Sequence, residues 1–159
     1  MQHPSIQQDP LDSPHPIPWG WVLSKQAEVA QTRDPQLCSY RGPALISPGG
    51  HYAAYSRIQM QAYPDLIQCR VNSTLFVENL QTRDLQPLWT NSALLGNSPD
   101  RPSPPGSVVA MMPISWSENS DRLLTRDFEA SLGSDFASDY AVVWDSTSNC
   151  TRTLAPSEI

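Results

Sequence analysis

Hydrophobic and polar positions change rhythm three times along this chain. Residues 1–18 carry prolines at 4, 10, 14, 16 and 18 and almost no apolar side chains. Proline fixes φ and removes a backbone donor, so the pattern predicts an extended, disordered Pro-rich arm. From Gly20 to Thr32, Trp21, Val22, Ala27, Val29 and Ala30 fall near one face at helical spacing, and "SKQAEVAQ" consists of good helix formers. One short N-terminal helix is expected there, ending before Pro35, with Trp19 and Trp21 anchoring it on a sheet. Beyond Arg41 the period drops to two. "HYAAYSRIQM" puts Tyr52, Ala54, Ile58 and Met60 on one side and Tyr55 and Arg57 on the other; "VNSTLFVEN" aligns Val71, Leu75 and Val77. Such alternation between Gly, Pro and Asn breaks marks half-buried strands.

The strand region has an internal echo. Ser47-Pro48-Gly49-Gly50-His51-Tyr52-Ala53-Ala54 lines up with Ser117-Glu118-Asn119-Ser120-Asp121-Arg122-Leu123-Leu124, and "FVENLQTRDLQPL" with "VVWDSTSNCTRTL". In each copy a serine closes a strand, a turn follows, and a new strand starts. Gly49 and Gly50 supply the positive φ of a tight turn, with Asn119 as the second copy's nearest equivalent. Four strands per copy are expected, at about 44–47, 52–60, 71–79 and 85–90, then 108–115, 122–128, 140–145 and 150–155. Loops are expected at 61–70, 91–106 and 129–139. The fold class is therefore mainly β: two tandem four-stranded antiparallel blade-like units, about 43–90 and 107–155, forming a partial propeller or curved sandwich. They belong to one domain, 19–159, behind the arm 1–18.

The segments "SPGGHYAAYSR…LFVENLQTRDL" and "SWSENSDRLLT…YAVVWDSTSN" resemble TolB-type and WD40-type β-propeller blades. There an "SPDG"-like turn joins the first two strands and a "WD"-like pair ends the third. The chain also resembles small uncharacterised cyanobacterial proteins carrying such a segment, a resemblance that supplies no activity. It spans about residues 43–155. The departure lies in the spacing, about seventy residues where blades repeat near forty, and in the number of units, since two blades do not close a ring.

Composition narrows the partners. Net charge is −6, Lys25 is the single lysine, and the arginines are scattered. No basic patch exists to hold nucleic-acid phosphates or an anionic membrane. The first residues lack a basic and apolar leader, and Cys38, Cys69 and Cys150 are odd in number and without CxxC spacing. These features predict reduced thiols and a cytoplasmic protein. Asn72-Ser73-Thr74 and Asn149-Cys150-Thr151 match the glycosylation pattern by chance in that setting.

Candidate chemistry is sparse. The histidines are His3, His15 and His51; only His51 lies among strands, where a turn histidine is favoured over a triad with Ser47. Asp135, Asp139 and Asp145 lie along the chain near one strand but lack the rhythm of a calcium loop, and charges flanking a strand normally face solvent. Trp116 and Trp144 are expected to pack between sheets. No G-x-S-x-G, H-E-x-x-H or Gly-rich phosphate loop occurs. The reading is of no enzyme, with no catalytic, cofactor-binding or metal residues and no cofactor. A non-catalytic protein-interaction module with weak self-association is expected; an accessory propeller segment of a hydrolase and a small-molecule-binding β-sandwich are the alternatives.

Overall fold

The computed structural model describes residues 15–88 and 103–154. Helix α1 (Trp19–Thr32) forms where the apolar spacing places it, burying Val22 and Val29, seven residues apart on one face. It ends at Arg33 in the left-handed region (φ 57°), whose N–H donates to the Val29 carbonyl at 2.7 Å. Trp19 meets the Phe128 ring edge-on at 5.8 Å and Trp21 meets Tyr40 at 5.4 Å, so both indoles fasten the helix to strands. Among the described residues, no helix is long and apolar enough to cross a membrane.

The expected arm is corrected at its last residues. Ile17 is buried in the core beneath the helix start, and its carbonyl accepts from Trp19 N–H at 2.8 Å; an apolar side chain beside a helix it can staple does not stay in water. Residues 1–14, with His3, lie outside the described residues. Ile17→Ala is therefore expected to lower stability by about 2 kcal/mol, read from urea denaturation with an unchanged slope. A change within measurement error would return Ile17 to a dispensable arm.

Among the described residues nine strands follow: β1 (Gln36–Arg41), β2 (Leu45–Ile46), β3 (Tyr52–Ala62), β4 (Arg70–Asn79), β5 (Leu85–Leu88), β6 (Ser107–Trp116), β7 (Arg122–Ser131), β8 (Ala137–Asp145) and β9 (Cys150–Thr153). They form one open mixed sheet in the order β1-β3-β4-β6-β7-β8-β9, with β2 also on β3 and β5 also on β4. All pairings are antiparallel except β4 with β6, where Val71 faces Val108 and Asn72 faces Val109 in parallel. A mainly β fold with one helix is thus what the alternation predicts. β1 was not expected. Its outer face is polar or exposed and only Cys38 and Tyr40 turn partly inward, too short an alternation to stand out after Pro35. The expected loop at 129–139 is mostly strand: β7 runs to Ser131, β8 starts at Ala137, and only a tight turn through Gly133 (φ 84°) separates them. Small and polar residues in "EASLGSDFAS" concealed the pairing. The expected loop at 61–70 likewise shrinks to a short connection between β3 and β4. Most of the loop expected at 91–106 lies outside the described residues.

The two turns that echo in sequence make the same hydrogen bonds. Ser47 N–H donates to the Tyr52 carbonyl (2.8 Å), Tyr52 N–H to Ser47 Oγ (2.9 Å), and Gly50 N–H to the Ser47 carbonyl (3.0 Å). Ser117, Arg122 and Ser120 repeat all three at 2.9, 3.0 and 2.9 Å. The left-handed residue of the second turn is Ser120 (φ 59°), opposite Gly50, rather than Asn119. After β4, Asn79 Oδ1 accepts from the N–H groups of Gln81 and Thr82; after β8, Asp145 Oδ1 accepts from Thr147 and Ser148.

β6 joins the two units and is buried on both faces. Val108, Ala110 and Met112 pack under α1 with Ile58, Met60, Val71 and Phe128; Met111 faces the second cluster, with Ala54, Leu75, Leu123 and Trp144. Beyond its two parallel pairs with β4, the β6 backbone is met by side chains of β3 and β4. Met111 N–H donates to Ser73 Oγ at 2.7 Å, and Ser56 Oγ donates to the Met111 carbonyl. Two serines replace a missing strand neighbour and satisfy a peptide that burial would otherwise orphan.

Candidate functional site

The structure scatters the residues that could have formed a catalytic centre. Ser47 is buried and its Oγ is occupied by the Tyr52 amide; exposed His51 contacts Gln81 Nε2 through Nδ1 at 3.1 Å. The two side chains do not pair with each other, so His51 is not placed as a base for that serine. The three aspartates go separate ways. Asp135 is exposed in the β7–β8 turn, Asp145 caps the turn after β8 and lies 3.7 Å from Arg122, and Asp139 is buried against Arg126. Among the described residues, no three His, Cys, Asp or Glu side chains gather as a metal site.

Trp116 and Trp144 meet edge-on at 6.2 Å, and Tyr52 stacks on Trp116 at 5.4 Å. Both indole N–H groups are committed within the fold, Trp116 to the Leu45 carbonyl and Trp144 to Asn149 Oδ1, each at 2.9 Å. The cluster locks the second unit on the first, and its polar handles are spent. Asn149 also accepts from Gln86 at 2.6 Å, so that side chain of the second sequon is structural; Asn72 of the first lies between β3 and β6.

What the fold leaves accessible is backbone. Gly42 N–H donates to the Ser56 carbonyl at 2.8 Å, in register with the β1–β3 ladder. Alternation along an antiparallel strand then turns the N–H and C=O of Leu37, Ser39 and Arg41 outward, where no described strand meets them. Leu37 is 70% exposed, the most of any large apolar residue described. At the other end of the sheet β9 is exposed throughout. β8 has a further open stretch: β9 pairs with Val142–Asp145 and the Leu154 N–H reaches the Ala141 carbonyl at 2.8 Å, so the outer edge of 137–140 is unpaired among the described residues, beside exposed Phe136 and Tyr140.

Charged side chains lie inside the fold at Arg126, Glu129 and Asp139. Arg126 Nε donates to Asp139 Oδ1, both side chains are at least nine-tenths buried, and the guanidinium carbon lies 5.0 Å from the Phe128 ring centre. Asp139 Oδ2 is buried and has no hydrogen-bond partner among the described residues. The sequence named Asp139 only as a solvent-facing carboxylate and passed over Arg126. The available signal was its place in "RLLTRDFE", two residues from Leu124 and Phe128 on the same strand face.

The thiols differ in environment. Cys69 is buried, and burial, reinforced by Asp65, pushes its pKa above the ordinary thiol value although backbone contact with Tyr63 opposes the rise. Cys150 is exposed and Cys38 half-buried; none is bonded to another. A thiol must ionise and be reached to react. Alkylation of the folded protein should therefore modify Cys150 first and Cys69 only on unfolding, as peptide mass spectrometry would show. Early modification of Cys69 would place it outside the core.

Comparison with known proteins adds no assignment: no protein family, curated protein or solved structure matches the chain.

Proposed function

We propose that this chain is a non-catalytic, cytoplasmic β module, built like a pair of propeller blades, that binds protein through the open edges of its sheet. The observation that carries the reading is β1, an end strand with three outward-facing peptide groups beside an apolar residue in water. Edge strands of that kind recruit extended segments, main-chain hydrogen bonds giving affinity and alternate side chains giving selectivity. The duplicated turns and the tryptophan cluster spend their polar groups within the fold. The unpaired thiols suit a reducing compartment.

Ser39→Pro separates this reading from others, because it deletes an outward N–H and leaves the bonds of β1 to β3 in place. Affinity capture from native extract is expected to retain a reproducible protein partner on the wild-type chain and to lose it on Ser39→Pro with its thermal melt unchanged. Equal capture by both would remove β1 as the binding edge.

A further inference from the structure

The join between the two units identifies an occupant for the open stretch of β8. Seventy residues separate matched ladder pairs: Cys38–Met60 and Val108–Ala130, Arg41–Arg57 and Met111–Asp127, Leu45–Ala54 and Ser115–Leu124. Even the register slip recurs, after Arg41 around Pro43 in the first unit and between Pro113 and Ser115 in the second. β1 and β2 thus hold in the first unit the place that β6 holds in the second. On the receiving side, the pairs Ser56–Leu75 and Ile58–Ser73 match Arg126–Ala141 and Phe128–Asp139. Ser56 and Ser73, which hold the Met111 peptide, are therefore replaced in the second unit by Arg126 and Asp139. The acceptor position is again filled by an oxygen, Asp139 Oδ2, and this one has no donor among the described residues. β4 has a parallel neighbour over its first residues; the matching start of β8 has none among the described residues.

We propose that the start of β8 receives β1 of a second copy, in parallel, repeating between chains the join that β4 and β6 make within one. The register follows from the internal join. Val71–Val108 becomes Ala137 opposite Cys38 of a second copy, both on the face that packs toward α1. Asn72–Val109 becomes Ser138 opposite Ser39. The Arg41 N–H, which matches Met111 N–H, is the donor for Asp139 Oδ2. One residue earlier, Phe136 and Leu37, exposed by 46% and 70% in the single chain, come together and leave water. The surface is heterologous, so copies associate head to tail, into a ring if the rotation closes and a chain of copies if it does not.

This inference rests on the reading of the chain as an interaction module and names the partner for one edge. The test uses the full chain with Cys150→Ser, adds Ala137→Cys, and applies mild oxidation. The matched register brings the new thiol opposite Cys38, within disulfide reach. The expected result is a covalent dimer or ladder whose linked peptides contain residue 38 and residue 137, abolished by Cys38→Ser. Should Ala137→Cys fold poorly, Ser138→Cys with Ser39→Cys probes the next rung. A folded variant that stays uncrosslinked at high concentration would overturn the proposal. So would a bond that forms only after removal of residues 2–14, which would assign the face to the chain's own N-terminal segment. If the bond fails while capture that depends on Ser39 persists, self-association is lost and the module reading stands; loss of both removes that reading as well.

Discussion

Val108→Asp unfolds the protein or leaves it barely stable. Val108 is fully buried at the parallel contact between β4 and β6, under the helix, with Val71 opposite it. A carboxylate there loses its hydration and gains no partner, and an unpaired buried charge costs several kcal/mol, about the whole stability of many domains. The expected outcome is loss of the cooperative melt, or a midpoint displaced by about 4 kcal/mol or more. Because β6 is shared by both clusters, both units should be lost together, seen as simultaneous changes in tryptophan fluorescence and far-ultraviolet circular dichroism. A variant that melts like the wild type would mean that β6 is not the centre of the fold.

The second large effect belongs to the buried ion pair. Arg126→Met leaves Asp139 charged, at most one-tenth exposed and with neither oxygen bonded to the guanidinium. Breaking such a pair from one side costs about 3–5 kcal/mol, whereas replacing both partners by apolar groups is often neutral. Arg126→Met is therefore expected to be strongly destabilising, and Arg126→Met with Asp139→Leu should recover most of the loss. Urea denaturation of the wild type, the single and the double variant closes the cycle. A single variant within about 1 kcal/mol of the wild type would show that solvent reaches the pair and screens it.

These two positions also show how far the chain could be read without coordinates. Val108 lies in "SVVAMMPIS", whose continuous apolar run announces a strand buried on both faces. The turns at Ser47 and Ser117 were legible because a turn's backbone needs recur locally, whatever the distant surroundings. Arg126 was not legible. Its burial depends on Asp139, thirteen residues away across a ladder, and on α1 covering Phe128, and neither contact leaves a local pattern. β1 escaped for a related reason. An end strand buries little, so its sequence is free of the strong alternation that inner strands need. The edges that carry the proposed function are thus the parts least marked in sequence. Ile17 fell on the wrong side of a boundary because prolines on both sides suggested a free arm, while one apolar side chain beside a helix start was enough to dock it.

The central claim is that the sheet works through edges left open. Sedimentation velocity over a wide concentration range, with the wild type and Ser39→Pro run side by side, tests it most directly. The wild type is expected to sediment faster as concentration rises, with modest affinity, while Ser39→Pro stays monomeric at every concentration. A wild type that remains a clean monomer throughout, and binds no apolar dye, would contradict association of copies through these edges.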